Sequence, residues 1–186
     1  LVEDETCLKG ITAIVADILN GRVGDKASFF LRASVLVPLS KPNDGVRPIA
    51  IGESFYRLAA IYALHVIISS GCVRMLFPAI QQGFGVAGGA ERAAVGTQAA
   101  LEIAVDKGDA CVVRLDIANA FNTRSRADIM QAIYDQPALE PMYKLIDWAY
   151  STPSLLVVRD YDQGCVAAVL ASDEGVRQGN PDGSFA

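Results

Sequence analysis

A single histidine and four widely spaced cysteines, Cys7, Cys72, Cys111 and Cys165, leave this chain of 186 residues little material for a metal cluster. No Cys-x-x-Cys occurs, so structural zinc is not expected, and the thiols fit a reducing, intracellular compartment. Long hydrophobic runs are missing too. The longest, Leu58 to Ile68, contains His65 and falls short of the roughly 20 residues that a membrane span requires. The opening Leu1-Val2-Glu3-Asp4-Glu5 is acidic where a signal peptide would be basic, so a soluble protein is expected. There is no surplus of positive charge: 16 Lys and Arg against 21 Asp and Glu give a net −5, which argues against a globally basic nucleic-acid binder. No internal repeat, low-complexity segment or Asp-Asp pair is found. The first residue is not Met, and Gly183-Ser184-Phe185-Ala186 reads as an element just beginning, so a fragment is expected.

The composition, 52% hydrophobic and 20% charged, supports a real core of one or two subdomains and excludes a disordered tail. Charge is unevenly spread. Residues 1–108 are balanced, whereas residues 109–186 are acidic. Within the first part, Arg22, Lys26, Arg32, Lys41, Arg47 and Arg57 outnumber Asp25, Asp44 and Glu53, which predicts a local basic surface.

Apolar residues at helical spacing, Leu8 to Leu19, predict a first helix over 6–20 stopped by Asn20-Gly21. Ser34 to Leu39 and Val46 to Ile51 flank Lys41-Pro42-Asn43-Asp44-Gly45 and predict a hairpin over 34–51 with a basic rim. A helix is expected over 54–70, capped by Ser54, with Phe55, Leu58, Tyr62 and Val66 on one face and His65 in or beside that packing. Residues 81–90 are glycine-rich and lead into a helix over 90–105. Lys107-Gly108-Asp109 predicts a turn into a strand, Ala110 to Leu115. Residues 126–149 read as one or two helices divided near Pro137 and Pro141. Leu155 to Arg159 and Val166 to Leu170 predict a second hairpin. Helices mixed with hairpins indicate an α+β fold rather than βαβ alternation.

Two segments invite a chemical reading. Gly83-Phe84-Gly85-Val86-Ala87-Gly88 has the G-x-G-x-x-G spacing of a dinucleotide site, which needs a strand directly upstream. Pro78 argues against that strand, and Asp116 lies further downstream than the ribose-binding acid of such sites. The second segment is Val112 to Thr123, where an apolar run meets Asp116. A carboxylate at the end of a buried strand is costly unless a cation or hydrogen-bond donors meet it, and Asp116 suits either a divalent ion or the cap of the turn that follows.

Asp116-Ile117-Ala118-Asn119-Ala120-Phe121-Asn122 resembles the first catalytic motif of reverse transcriptases, D-x-x-x-A-F/Y. Leu36 to Ala50, with its Lys41-Pro42 and Arg47-Pro48-Ile49 elements, resembles the fingers hairpin of the non-LTR retrotransposon enzymes. Gly175-Val176-Arg177-Gln178-Gly179-Asn180-Pro181 resembles their G-V-R-Q-G-D-P block. The three stand in the expected order, and the resemblance runs from about residue 32 to the end.

The resemblance implies a right-hand polymerase fold, with an antiparallel sheet and packed helices. Residues 1–108 would be fingers-like, and 109–186 would be a palm-like region truncated before the second metal motif. It implies an RNA-directed DNA polymerase, in which a primer 3′ hydroxyl attacks the α-phosphate of a deoxynucleoside triphosphate. Asp116 and the Ile117 carbonyl would be ligands of Mg²⁺, with Mn²⁺ as a substitute. Lys41 and Arg47 would clamp the triphosphate, Phe121 would exclude a 2′ hydroxyl, and Gln178 and Gly179 would pass close to the nucleotide and template. RNA template, DNA primer and deoxynucleotides are the implied partners, and the nucleus the implied location.

The chain departs from the pattern in three places. It has no Asp-Asp motif, so the polypeptide alone is expected to be inactive. Asn180 replaces an acidic residue, and Asp182 replaces an apolar one at a position expected to be packed. Two other readings stay open: a catalytically inactive polymerase-like scaffold that binds nucleic acid or protein, and a nucleotide-binding α/β enzyme built on the glycine segment.

Overall fold

The computed structural model describes residues 4–42, 44–72, 76–77, 80–105, 108 and 111–184. Within them the fold is α+β, a four-stranded mixed sheet with helices packed beside it. The first helix, α1 (Glu5–Leu19), begins at Asp4, whose carboxylate accepts from the Thr6 and Cys7 amides at 2.9 and 3.2 Å. Those amides are among the donors a helix start leaves unpaired, and they hold the Asp4 carboxyl below its ordinary range. A short helix not foreseen from the sequence, α2 (Asp25–Leu31), follows.

The first hairpin is β1 (Ser34–Ser40) and β2 (Val46–Gly52), in register from Ser34 opposite Gly52 to Ser40 opposite Val46. Its turn closes with the Lys41 amide donating to the Gly45 carbonyl at 2.8 Å, and Asp44 takes the left-handed conformation that its short polar side chain tolerates. Asn43, in the same predicted turn, lies outside the described residues. Pro38 and Pro48 face each other across the pair. Neither can donate to a ladder, and both escape the cost: β2 is an edge strand, and the next strand pairs with β1 only along Ser34, Val35 and Leu36.

That next strand is β3 (Ser154–Asp160), parallel to β1, and β4 (Cys165–Ser172) completes the sheet antiparallel to β3. Both predicted hairpins are present. The expectation of an antiparallel sheet is corrected by the β1–β3 pair, which joins the two hairpins side by side in the order β2-β1-β3-β4.

Helix α3 (Ser54–Ser69) is the centre of the core. Its cap is Glu53 rather than Ser54: the Glu53 carboxylate accepts from the Phe55 and Tyr56 amides at 2.7 and 3.4 Å. The face expected to pack is also corrected. Leu58, Tyr62 and Val66 are exposed, and so is His65, while Tyr56, Ala59, Ala60, Ala63 and Ile67 are buried. The small side chains explain the choice, because a helix packs closest along its alanine stripe. Against it lie Ile18 of α1, Met142 of the 3₁₀ segment Pro137–Met142, and Leu145 of the helix that follows. Each of these three apolar side chains contributes about 1.5–3 kcal/mol by leaving water.

Three further helices are α4 (Gly89–Val105), largely exposed; α5 (Ala120–Thr123), a single turn; and α6 (Arg126–Tyr134). The last, α7 (Tyr143–Tyr150), comes after the 3₁₀ segment, so the division near Pro137 and Pro141 is as expected. The strand Ala110–Leu115 is not found where described. Ala110, Lys107 and Asp109 lie outside the described residues, and 111–117 form no strand. Val113 and Leu115 are 72% and 89% exposed. A strand exists only through a ladder, and the described strands pair only with one another, within the two hairpins and across the β1–β3 seam. Phe185 and Ala186 also fall outside the description; the residues before them form a 3₁₀ turn, Pro181–Ser184. No described helix is long and apolar enough to cross a membrane.

Candidate functional site

The three segments singled out in the sequence meet at the outer edge of β2. The single turn α5 is entered through Asn119, which holds a left-handed φ of 53°. Its carbonyl accepts from the Asn122 amide at 2.9 Å and from the Thr123 hydroxyl at 3.1 Å. This turn presents the Phe121 carbonyl to the Val176 amide at 2.7 Å, while the Arg124 carbonyl takes the Gly175 amide at 2.9 Å. Gly175 has φ 57°, and a Cβ there would run into the Phe121 carbonyl and the Asn122 backbone, so only glycine permits this approach.

The block then turns onto the hairpin. The Ala50 amide of β2 donates to the Gln178 carbonyl at 2.7 Å, and two residues on, the Gly52 amide donates to Asn180 Oδ1 at 2.9 Å. Edge-strand amides need partners, and this turn supplies two of them. Phe121 and Gln178 are half-buried, and Gly179 is exposed at φ 118° against Ile49 and Ala50. Beneath the turn lies a cavity of 250 Å³ bordered by Leu36, Pro48, Ala50, Asn122, Val176 and Arg177, among others.

Lys41 and Arg47 stand at the tip of the same hairpin, Arg47 opposite Leu39. Both are exposed, and neither has an ion-pair partner among the described residues. Strand alternation puts Arg47 on the face of Ile49 and Ile51, away from Pro48 and Ala50, so it does not border the cavity. Asp116 is exposed, with no hydrogen-bond or ion-pair partner among the described residues, and Ile117 is 63% exposed. Among the described residues no group of three or more His, Cys, Asp or Glu side chains could hold a metal ion. Asp116 with the Ile117 carbonyl does not by itself amount to a divalent-ion site.

Sequence reasoning missed the polar core under the turn. Asp182, foreseen as a misfit, is fully buried and accepts from the Tyr56 hydroxyl at 2.6 Å. Arg177 is 2% exposed, and its guanidinium lies over the rings of both Tyr56 and Tyr150. Burial, then the nearby Asp182 carboxylate, pushes both phenols above their ordinary value. Burial works against the Arg177 charge, but Tyr56, Tyr150 and Asp182 outweigh it and hold the guanidinium above its ordinary value. Arg126 clasps the approach, donating to the Gly175 carbonyl and to Ser172 Oγ at 2.9 Å each, with its charge over Tyr150. The available signal was Asp182 itself, a charge in an apolar slot with tyrosines elsewhere in the chain.

The glycine segment is organised differently from a dinucleotide loop. Leu76, Phe77 and 80–82 ahead of it are not a strand, and Pro78 lies outside the described residues. The Gln81 carboxamide oxygen accepts from the Phe84 amide at 2.9 Å and from the Gly83 amide, donors that a pyrophosphate would require.

The site therefore belongs to an α+β protein in which three separated segments are pinned together by backbone hydrogen bonds. Over 172 residues the chain is 32% identical to the retrotransposable element SLACS 132 kDa protein of Trypanosoma brucei gambiense. That match takes in 91% of this chain, which spans 13% of the length of that relative. No family model matches the chain. The chain is thus related to a retrotransposable-element protein.

Proposed function

We propose that this chain is the fingers and adjoining palm part of an RNA-directed DNA polymerase of non-LTR retrotransposon type. The observation that carries the reading is the meeting of the three segments: Phe121 bonded to Val176, and Gln178 bonded to Ala50 of the hairpin that bears Lys41 and Arg47. The kinship with a retrotransposable-element protein supports the same reading.

In this reading Lys41 and Arg47, free of ion pairs among the described residues, meet the triphosphate, whose charge needs cations placed in advance. Phe121 lies beneath the sugar and leaves no volume for a 2′ hydroxyl. Gln178 offers a neutral donor and acceptor to the incoming base pair, and Gly179 allows close approach because it has no side chain. The chemistry, attack of a primer 3′ hydroxyl on an α-phosphate, then depends on positioning and charge. A divalent ion, Mg²⁺ or Mn²⁺, would need carboxylates beyond Asp116, which the described residues do not place beside it. RNA template and DNA primer are the proposed partners, with the nucleus as the site of action.

The test is primer extension on an RNA template by the polypeptide that naturally carries this segment, wild type against Asp116→Ala. The reading expects Mg²⁺-dependent extension that falls by about two to three orders of magnitude in the variant, the scale seen when a charge-stabilising group is removed. Extension indifferent to Asp116 overturns the assignment of that residue. No extension from the wild type overturns the enzyme and leaves the inactive scaffold.

A further inference from the structure

The turn that carries Gln178 and Gly179 is seated on a buried chain of polar groups. Arg177 Nη2 donates to the Tyr56 hydroxyl at 3.2 Å and to the Ala149 carbonyl at 3.3 Å, and its Nη1 donates to the Arg32 carbonyl. The Tyr56 hydroxyl passes the chain on to Asp182 Oδ2. Guanidinium, phenol and carboxylate so connect four places: the residue two ahead of β1, the first turn of α3, the end of α7 and the 3₁₀ turn Pro181–Ser184.

Apolar side chains would fill this volume at less cost, because a buried charge must recover its lost hydration from its partners. What the polar chain adds is direction, since each bond has a preferred length and angle. Its two charged ends, Arg177 and Asp182, bracket Gln178, Gly179 and Asn180. Between them the turn meets β2 at two amides of the same edge, Ala50 and Gly52. A slip of the turn along β2 breaks both bonds together. A Cβ at Gly179 would run into Ile49 and the Ala50 carbonyl, so a glycine there lets the turn sit close on β2.

We propose that Arg177 and Asp182, joined through the Tyr56 hydroxyl, are positioning residues that fix the Gln178–Gly179 turn in register on β2. The fixing rests on the geometry alone; only the purpose of the turn rests on the polymerase reading.

Amide hydrogen exchange on the 186-residue chain, followed by NMR, tests it without nucleotide. Asp182→Leu removes the acceptor for Tyr56, and Asp182→Asn keeps one. The Leu variant is expected to speed exchange at the Ala50 and Gly52 amides by about tenfold or more beyond any change in the interior of α1. The Asn variant is expected to restore those two amides to within about threefold of wild type. If the Leu variant does not fold, Tyr56→Phe, which deletes only the bridging hydroxyl, is expected to show the same local pattern. Exchange at Ala50 and Gly52 that rises no more than in α1, or an Asn variant no better than Leu, overturns the proposal. Neither result bears on primer extension, and a failed extension assay leaves this arrangement standing.

Discussion

The Tyr56 hydroxyl donates to Asp182 Oδ2 at 2.6 Å across 126 residues of chain, and neither side chain is exposed to solvent. Tyr56→Phe keeps the ring and removes the one atom that both Arg177 and Asp182 use. The buried carboxylate then loses a donor, which is expected to lower stability by about 1–3 kcal/mol in urea denaturation. A loss within the error of extrapolation would show that the bond is incidental.

Asn180 and Asp182 are both buried, and Arg177 is the one cation buried with them among the described residues. Asn180→Asp keeps the acceptor for Gly52 but adds a second carboxylate, and is expected to destabilise by about 2 kcal/mol or more. Asp182→Leu combined with Asn180→Asp returns the site to one carboxylate. A double-mutant cycle is expected to show the pair more stable than the sum of its singles by about 1 kcal/mol or more. Additive effects would mean that the two positions do not share the Arg177 charge.

Gly175 sits at φ 57° with its α-carbon against the Phe121 carbonyl and the Asn122 backbone. Gly175→Ala meets backbone that cannot turn aside, and is expected to cost about 3 kcal/mol or more, or to prevent folding. A soluble, folded variant with unchanged thermal midpoint would contradict the close approach of α5 to the third block.

The raised phenols of Tyr56 and Tyr150 give the fold an alkaline limit. A phenol whose folded value exceeds its unfolded value near 10 contributes its stability in full below that unfolded value. The contribution is lost as pH rises through the folded value, because the unfolded chain releases the proton first. Ultraviolet titration is therefore expected to show these two of the six tyrosines ionising only as the fold is lost. All phenols titrating together with the fold intact would contradict their burial.

Periodicity made much of this fold readable. The first helix, both hairpins and the helix ending at Val105 stand within a residue or two of their expected bounds. Local spacing could not show that β1 lies parallel to β3, because that pairing joins residues more than a hundred positions apart. Nor could it choose the buried face of α3, where Leu58 and Tyr62 looked the better candidates. The alanines won because close helix packing is decided by what lies opposite, here Ile18 and Met142. The strand expected before Asp116 had the right composition and no described neighbour to pair with. Motif order pointed to the convergence at β2, but the polar chain beneath it was legible only as one anomaly, Asp182.

In the proposed polymerase function Phe121 lies against the sugar of an incoming deoxynucleotide. The most direct measurement is the ratio of ribonucleotide to deoxynucleotide incorporation by the naturally occurring polypeptide, wild type against Phe121→Val. The account predicts that the smaller side chain raises ribonucleotide use relative to deoxynucleotide by about tenfold or more, the range that one pocket contact commands. Phe121 also packs at the edge of the core, so a general weakening would lower both rates and leave their ratio unchanged. An unchanged ratio would contradict the account.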